Sequence, residues 1–247
     1  MSGHSKWSTI KRAKGAKDAA RGKLFGRIIK EITIAARDGG GDPDGNPRLR
    51  LAIDKAKGAN MPNDNVKRAI ERGTGEIDGV NYEEITYEGY GPGGVAFIIE
   101  TITDNKNRTV ADVRHILTKN NGNLAENGSV SWKFDRKGVI TVPSTRDEEE
   151  MMMIALEAGA DDLSTEDDHF EIITEAAQFV AVKNALEAQD VEITEAELQM
   201  IPQNTLKVEG KDAEGIIRLL EALEEHDDVQ NVFADFDIDA DVMESLQ

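Results

Sequence analysis

The chain has no cysteine, which excludes disulfides, thiolate chemistry and cysteine-ligated zinc. Its four histidines, His4, His115, His169 and His226, lie far apart, and no pair has a metal-ligand spacing. No apolar run approaches the roughly 18 residues of a membrane span. The first residues, Met1 to Trp7, lack the apolar core of a secretory signal. Aromatic residues are sparse at 5%. No Ser-His-Asp, HExxH or isolated carboxylate pair stands out. The reading is a non-enzymatic cytoplasmic protein with no metal and no cofactor.

What the chain does have is charge, unevenly placed. Residues 1–72 hold 17 Lys and Arg against 8 Asp and Glu, a local +9; the remainder holds 12 against 40, a local −28. A basic arm on a body that repels polyanions points to a nucleic-acid partner. An inner segment, residues 145–200, carries 17 acids and 2 bases. It reads as a solvated surface that would push a bound polyanion toward the basic end.

The periodicity divides the chain. Residues 1–22 have few apolar groups beyond Trp7 and Ile10, so they predict a mobile basic arm. From Lys23, the residues Leu24/Phe25, Ile28/Ile29, Ile32 and Ala35/Ala36 recur at helical spacing. Asn46-Pro47 reads as an N-cap with proline at the first helical position, opening a second helix that Gly58 ends. A third runs from about Pro62 to Arg72. Strands are expected at Glu84–Glu88, Val95–Thr103 and Ser129–Phe134, with a helix capped by Thr109 and Asp112 between the last two. Next comes β-α-β-β-α-β, the split βαβ order: strands Val139–Val142, Asp162–Thr165, Phe170–Thr174 and Glu192–Ile201, with helices capped by Ser144 or Thr145 and spanning Ala176–Ala188. Leu206–Val208, a helix through Leu223 and strand Val229–Phe236 close the chain.

The fold class is therefore multidomain α+β: a basic helical domain and two ferredoxin-like (split βαβ) α/β domains, one inserted in the other. The expected boundaries are an arm at 1–22, a helical domain at 23–78, a discontinuous α/β domain at 79–136 plus 203–247, and an inserted acidic one at 137–202.

Candidate phosphate contacts follow from charge and placement. In the arm they are Lys6, Lys11, Arg12, Lys14, Lys17 and Arg21, with Trp7 as a stacking group. On the polar faces of the helical domain they are Lys23, Arg48, Arg50, Lys55, Lys67 and Arg68. Lys106 and Arg108 belong to a second basic cluster, in a loop leading to a helix N-terminus. The Gly89–Gly94 turn lacks the Lys-Ser/Thr of a P-loop and reads as a hairpin connection. The run Met151-Met152-Met153 reads as core packing.

Several stretches resemble one family, the YebC type. They are Gly3-His4-Ser5-Lys6-Trp7, Lys23-Leu24-Phe25, Gly40-Gly41-Asp42-Pro43 with Asn46-Pro47-Arg48-Leu49, Asn60-Met61-Pro62, Tyr87 to Gly94, Asp104 to Thr109, and Gly128-Ser129-Val130 with Trp132. The resemblance implies three domains and a regulatory protein, with DNA and transcription as the first choice. It also implies an alternative: a ribosome-associated translation factor that binds ribosomal RNA and relieves stalled elongation. The sparse mixture of Asn, Gln and Ser on the short helices argues for weak base readout and leans toward RNA.

Overall fold

The computed structural model describes residues 18–166, 169–239 and 242, the side chains of residues 18–20 excepted. It divides into two compact units: Phe134–Gln203, and the chain before and after that segment.

The flanking unit opens with three helices: α1 (Asp18–Gly39), α2 (Pro47–Gly58) and α3 (Asn63–Thr74). Residues 18–22, assigned above to the arm, are already helical. Asp18 favours a helix N-terminus and the two alanines that follow favour helix. The arm residues Lys6, Trp7, Lys11, Arg12, Lys14 and Lys17 lie outside the described residues. The Asn46 side chain caps α2 by accepting from the Leu49 N–H, with Pro47 in the first turn. It also donates to the Ala35 and Gly40 carbonyls at 2.7 and 2.9 Å, which ties α2 to the end of α1. Ile28, Ile32, Ala35 and Ala36 of α1 form a core with Leu49, Ala52, Ala56, Met61 and Ala69. A Cβ on Gly73 would lie 2.3 Å from the Thr33 carbonyl oxygen, so only glycine allows α3 to pack this closely on α1.

The same unit carries an antiparallel sheet in the order β3-β1-β2-β9, from Asn123–Leu124, Glu83–Tyr90, Ala96–Thr103 and Val229–Ala234. A two-stranded ribbon pairs β8 (Leu206–Lys207) with β10 (Phe236–Asp237). Helices α4 (Lys106–Lys119) and α7 (Gly210–Glu224) supply Val113, Leu117, Ile216, Leu219, Leu220 and Leu223 to a core with Phe97 and Ile99. Ile98 and Ile102 are buried as well, so both faces of β2 are covered.

The Phe134–Gln203 unit runs β4 (Phe134–Pro143), α5 (Glu148–Glu157), β5 (Asp162–Thr165), β6 (His169–Glu175), α6 (Phe179–Ala188), β7 (Glu195–Pro202). Its sheet order β5-β6-β4-β7, all antiparallel, is the split βαβ arrangement. The flanking sheet has a different chain order, because it opens on the β1–β2 hairpin. Met151 is buried whereas Met153 is exposed, so the methionine run is only partly core.

Three local expectations are corrected. Thr109 does not cap a helix: α4 begins at Lys106, and Asn105 caps it by accepting from the Arg108 N–H. Ser129–Phe134 is not a strand, since Ser131–Lys133 is a 3₁₀ turn and β4 begins at Phe134. The α5 cap is Asp147, which accepts from the Glu149 and Glu150 N–H groups, rather than Ser144 or Thr145. In both cap errors an Asn or Asp stands immediately before the first helical residue and takes the cap.

Candidate nucleic-acid interface

The cations of α1 and its neighbours fall into two groups. The first lies along one face of α1, at Lys23, Arg27 and Lys30, with the i, i+4, i+7 spacing of one helical face. These side chains meet the C-terminal end of α7 and the turn after it. Lys23 Nζ donates to the Glu225 carbonyl at 2.9 Å, and Arg27 Nη2 donates to that of Glu224. Lys30 Nζ donates to the carbonyls of Asp227 (2.9 Å) and Ile102 (3.2 Å) and to Asp228 Oδ1 (2.7 Å). Carbonyls at a helix C-terminus lack intrahelical donors and carry the negative end of the dipole, so cations bind them well. Arg27 Nε is buried without a partner among the described residues. Burial lowers the Arg27 pKa, opposed by Glu224 and Asp227.

Asp228 is the centre of this contact and is only 4% exposed. Besides Lys30, its carboxylate accepts from Arg108 Nη2 (2.6 Å), Thr109 Oγ1 (2.8 Å) and Thr103 Oγ1 (3.2 Å). Burial alone would raise its pKa. The Lys30, Arg108 and Thr109 bonds outweigh burial and hold the carboxyl well below the usual range. The backbone N–H of Asp228 donates to His226 Nδ1 at 3.1 Å, which leaves the His226 Nε2 proton to face Asp112 at 3.3 Å. Arg108, a candidate phosphate contact, is thus shared between Asp228 and Asp104.

Arg48 and Arg50 are also engaged. Arg48 forks to Glu31 of α1 and Glu84 of β1; the Glu84 bond, then burial, then Glu31 govern its pKa, with a net rise. Such paired forks use the fixed guanidinium geometry and join the helices to the sheet. Arg50 donates to the Pro43 and Asp44 carbonyls at 3.1 and 2.9 Å and holds the loop between α1 and α2.

The second group is exposed and flanks the turn between α2 and α3. Arg21 sits over the Phe25 ring at 5.3 Å and reaches the Asn60 carbonyl at 3.5 Å, so the start of α1 lies beside the α2–α3 turn. Lys55 and Lys57 end α2 there, and Lys67 and Arg68 ride on α3; all four are exposed. Lys57 and Lys67 make only exposed pairs, with Asp54 (3.4 Å) and Glu71 (3.8 Å), of a kind worth little. The Arg68 side chain has no ion pair or hydrogen bond with another described residue, and neither does that of exposed Lys106. Residues 1–17, with five Lys and Arg and no acid, join the chain at this same end of α1.

Of the candidates, Arg21, Lys55, Lys67 and Arg68 are exposed around the α2–α3 turn, and Lys106 is exposed on α4 with no side-chain partner among the described residues. Arg48, Arg50 and Arg108 are held by several partners within the fold, and Lys23, though exposed, donates to the Glu225 carbonyl. Lys57 was not singled out from sequence; it stood among other polar-face cations, and only the meeting of Arg21 with Asn60 marks its position. Among the described residues no three His, Asp or Glu side chains could hold a metal ion, and no helix is long and apolar enough to cross a membrane.

Comparison with known proteins agrees across the chain. Curated relatives from Citrifermentans bemidjiense and Natranaerobius thermophilus are 58% and 55% identical over 246 and 249 residues, covering 100% and 99% of this chain and all of each relative. Both are named "Probable transcriptional regulatory protein". A crystal structure of a conserved hypothetical protein from Aquifex aeolicus superposes with a TM-score of 0.84 at 47% identity, over 90% of this chain and 92% of that one. Residues 5–76 match the TACO1/YebC protein N-terminal domain, and residues 82–236 match the TACO1/YebC second and third domain. With both models matched in order along a chain of this length, the protein belongs to the TACO1/YebC family.

Proposed function

We propose that this is a non-enzymatic regulatory protein that binds nucleic acid, with DNA and transcription as the first reading. The observation that carries it is the α2–α3 corner, which Arg21 reaches and the exposed Lys55, Lys57, Lys67 and Arg68 flank along the chain, with the five cations of residues 1–17 preceding α1 in sequence. That corner offers Lys and Arg to phosphates, and the −28 remainder of the chain leaves it as the place a polyanion is drawn to. The printed names of the relatives support the regulatory half of the reading.

One observation favours a second target, ribosomal RNA. α2 and α3 are joined by a turn of helix-turn-helix length, yet each packs chiefly on α1 rather than on the other. The exposed part of α3 is led by Lys67 and Arg68, which grip phosphates more than they read bases.

Crosslinking in growing cells, followed by sequencing of all attached DNA and RNA, tests both. Reads piled on a few promoters are expected for a transcriptional regulator. Reads concentrated on ribosomal RNA would replace that reading with the translational one. Background on both would reject nucleic-acid binding.

A further inference from the structure

The turn between β3 and β4 is held by more buried polar structure than a surface turn requires. Glu88, on β1 and 5% exposed, accepts the N–H groups of Gly128 (2.8 Å), Val130 (2.6 Å) and Ser131 (3.0 Å). Burial would raise its pKa, but these donors prevail and hold it below the ordinary carboxylate range. Gly128 turns the chain at φ +88°, and Val130 is completely buried beneath. The Ser129 carbonyl accepts from Tyr90 Oη at 3.2 Å and from Trp132 Nε1 at 3.0 Å.

All of this holds Trp132 outward. At 67% exposure it is the most exposed large hydrophobic side chain among the described residues. Its N–H is already donated to Ser129, so the indole presents its ring faces and no free polar group. The turn itself, residues 125–133, carries no second exposed large apolar side chain beside Trp132. The stretch is also the one place where the body is not acidic. Residues 105–133 carry five Lys and Arg against two Asp and Glu, and of the five Lys106, Arg114 and Lys119 are exposed while Arg108 and Lys133 are paired with Asp228 and Asp235.

We infer that Trp132 is a stacking platform for an unpaired nucleobase, which makes single-stranded or looped nucleic acid the preferred ligand of this face. The inference rests on the nucleic-acid reading above and narrows it. Stacking on a ring with no free hydrogen-bonding group would be tolerant of sequence.

The protein has two tryptophans, so Trp7→Phe leaves Trp132 as the only indole reporter. In that background, the full chain is titrated with labelled oligouridine and with labelled duplex DNA, reading label anisotropy and tryptophan emission together. The expected result is quenching of Trp132 by oligouridine, with Trp132→Ala weakening that binding about tenfold. Trp132→Phe should restore most of the loss, and duplex affinity should be unchanged. Binding by anisotropy with no quenching and no effect of Trp132→Ala would overturn the platform and leave the nucleic-acid reading intact, pointing the indole toward a protein partner. No anisotropy change with either ligand, in this background and in the unsubstituted protein alike, would remove both.

Discussion

The cations of the helical region differ in what surrounds them more than in what they are. Lys23, Arg27 and Lys30 face carbonyls and a buried carboxylate, while Arg21, Lys57, Lys67 and Arg68 face solvent. The first group joins α1 to the sheet beneath it, and the second is left over for a partner. A count of positive residues treats the two alike, although a buried, hydrogen-bonded pair responds to mutation quite differently from an exposed one.

Mutation should separate the groups cleanly, and the largest effect belongs to the docked one. Asp228→Ala removes the buried carboxylate shared by Lys30, Arg108 and two hydroxyls, each of which keeps at most its weaker partners, so it should cost roughly 2–3 kcal/mol in denaturant unfolding. The salt dependence of nucleic-acid binding should not change while the protein remains folded. A destabilisation below ~1 kcal/mol would mean that the docking of α1 on Asp228 is ornamental.

Neutralising Lys11, Arg12, Lys14 and Lys17 together should do the reverse. Binding to every nucleic acid tested should weaken, and the log–log salt slope should flatten by up to ~0.9 for each duplex-DNA phosphate that is no longer neutralised. The melting temperature should stay where it is. An unchanged slope would remove the segment from the binding mechanism.

Glu88→Gln tests the scaffold beneath Trp132. It keeps one acceptor and loses the charge that three N–H groups converge on, for an expected cost of roughly 1–3 kcal/mol. The sign with pH follows from the depressed Glu88 pKa. Its stabilisation is present above the unfolded-state value near 4.3 and is lost as pH falls through the lower folded value. The difference between wild type and Glu88→Gln should therefore shrink below about pH 4 in thermal unfolding curves. A gap that persists into acid would assign the effect to packing.

The smallest change is expected at Arg68, which has no described partner to give up. Arg68→Gln should leave stability unaltered and lower the salt slope by at most ~0.9, measured by anisotropy over a salt series. A measurable drop in stability would show that the corner is also part of the fold's support.

Much of the local structure was legible because its causes are local. Asn46 and Pro47 stand next to the helix they start, and the β-α-β-β-α-β order of the Phe134–Gln203 unit follows from patterns a few residues long. The misreadings have distant or competing causes. Ser129 to Phe134 alternates like a strand, but Glu88, 42 residues from Val130 in sequence, captures its backbone N–H groups and closes a turn. Thr109 sits where a cap could be, yet its hydroxyl donates to Asp228, and Asn105 takes the capping role.

By itself the sequence determined the order of helices and strands, where the charge lies and that a basic end precedes an acidic body, since propensity, periodicity and net charge act at short range or add over residues. Which cations remain available was decided by the tertiary structure alone. Lys30 meets Asp228 across 198 residues and Arg108 meets it across 120. No pattern in the chain announces a pair at such separations, because only the packing of α1 and α4 around the end of α7 brings those charges within reach of one buried carboxylate.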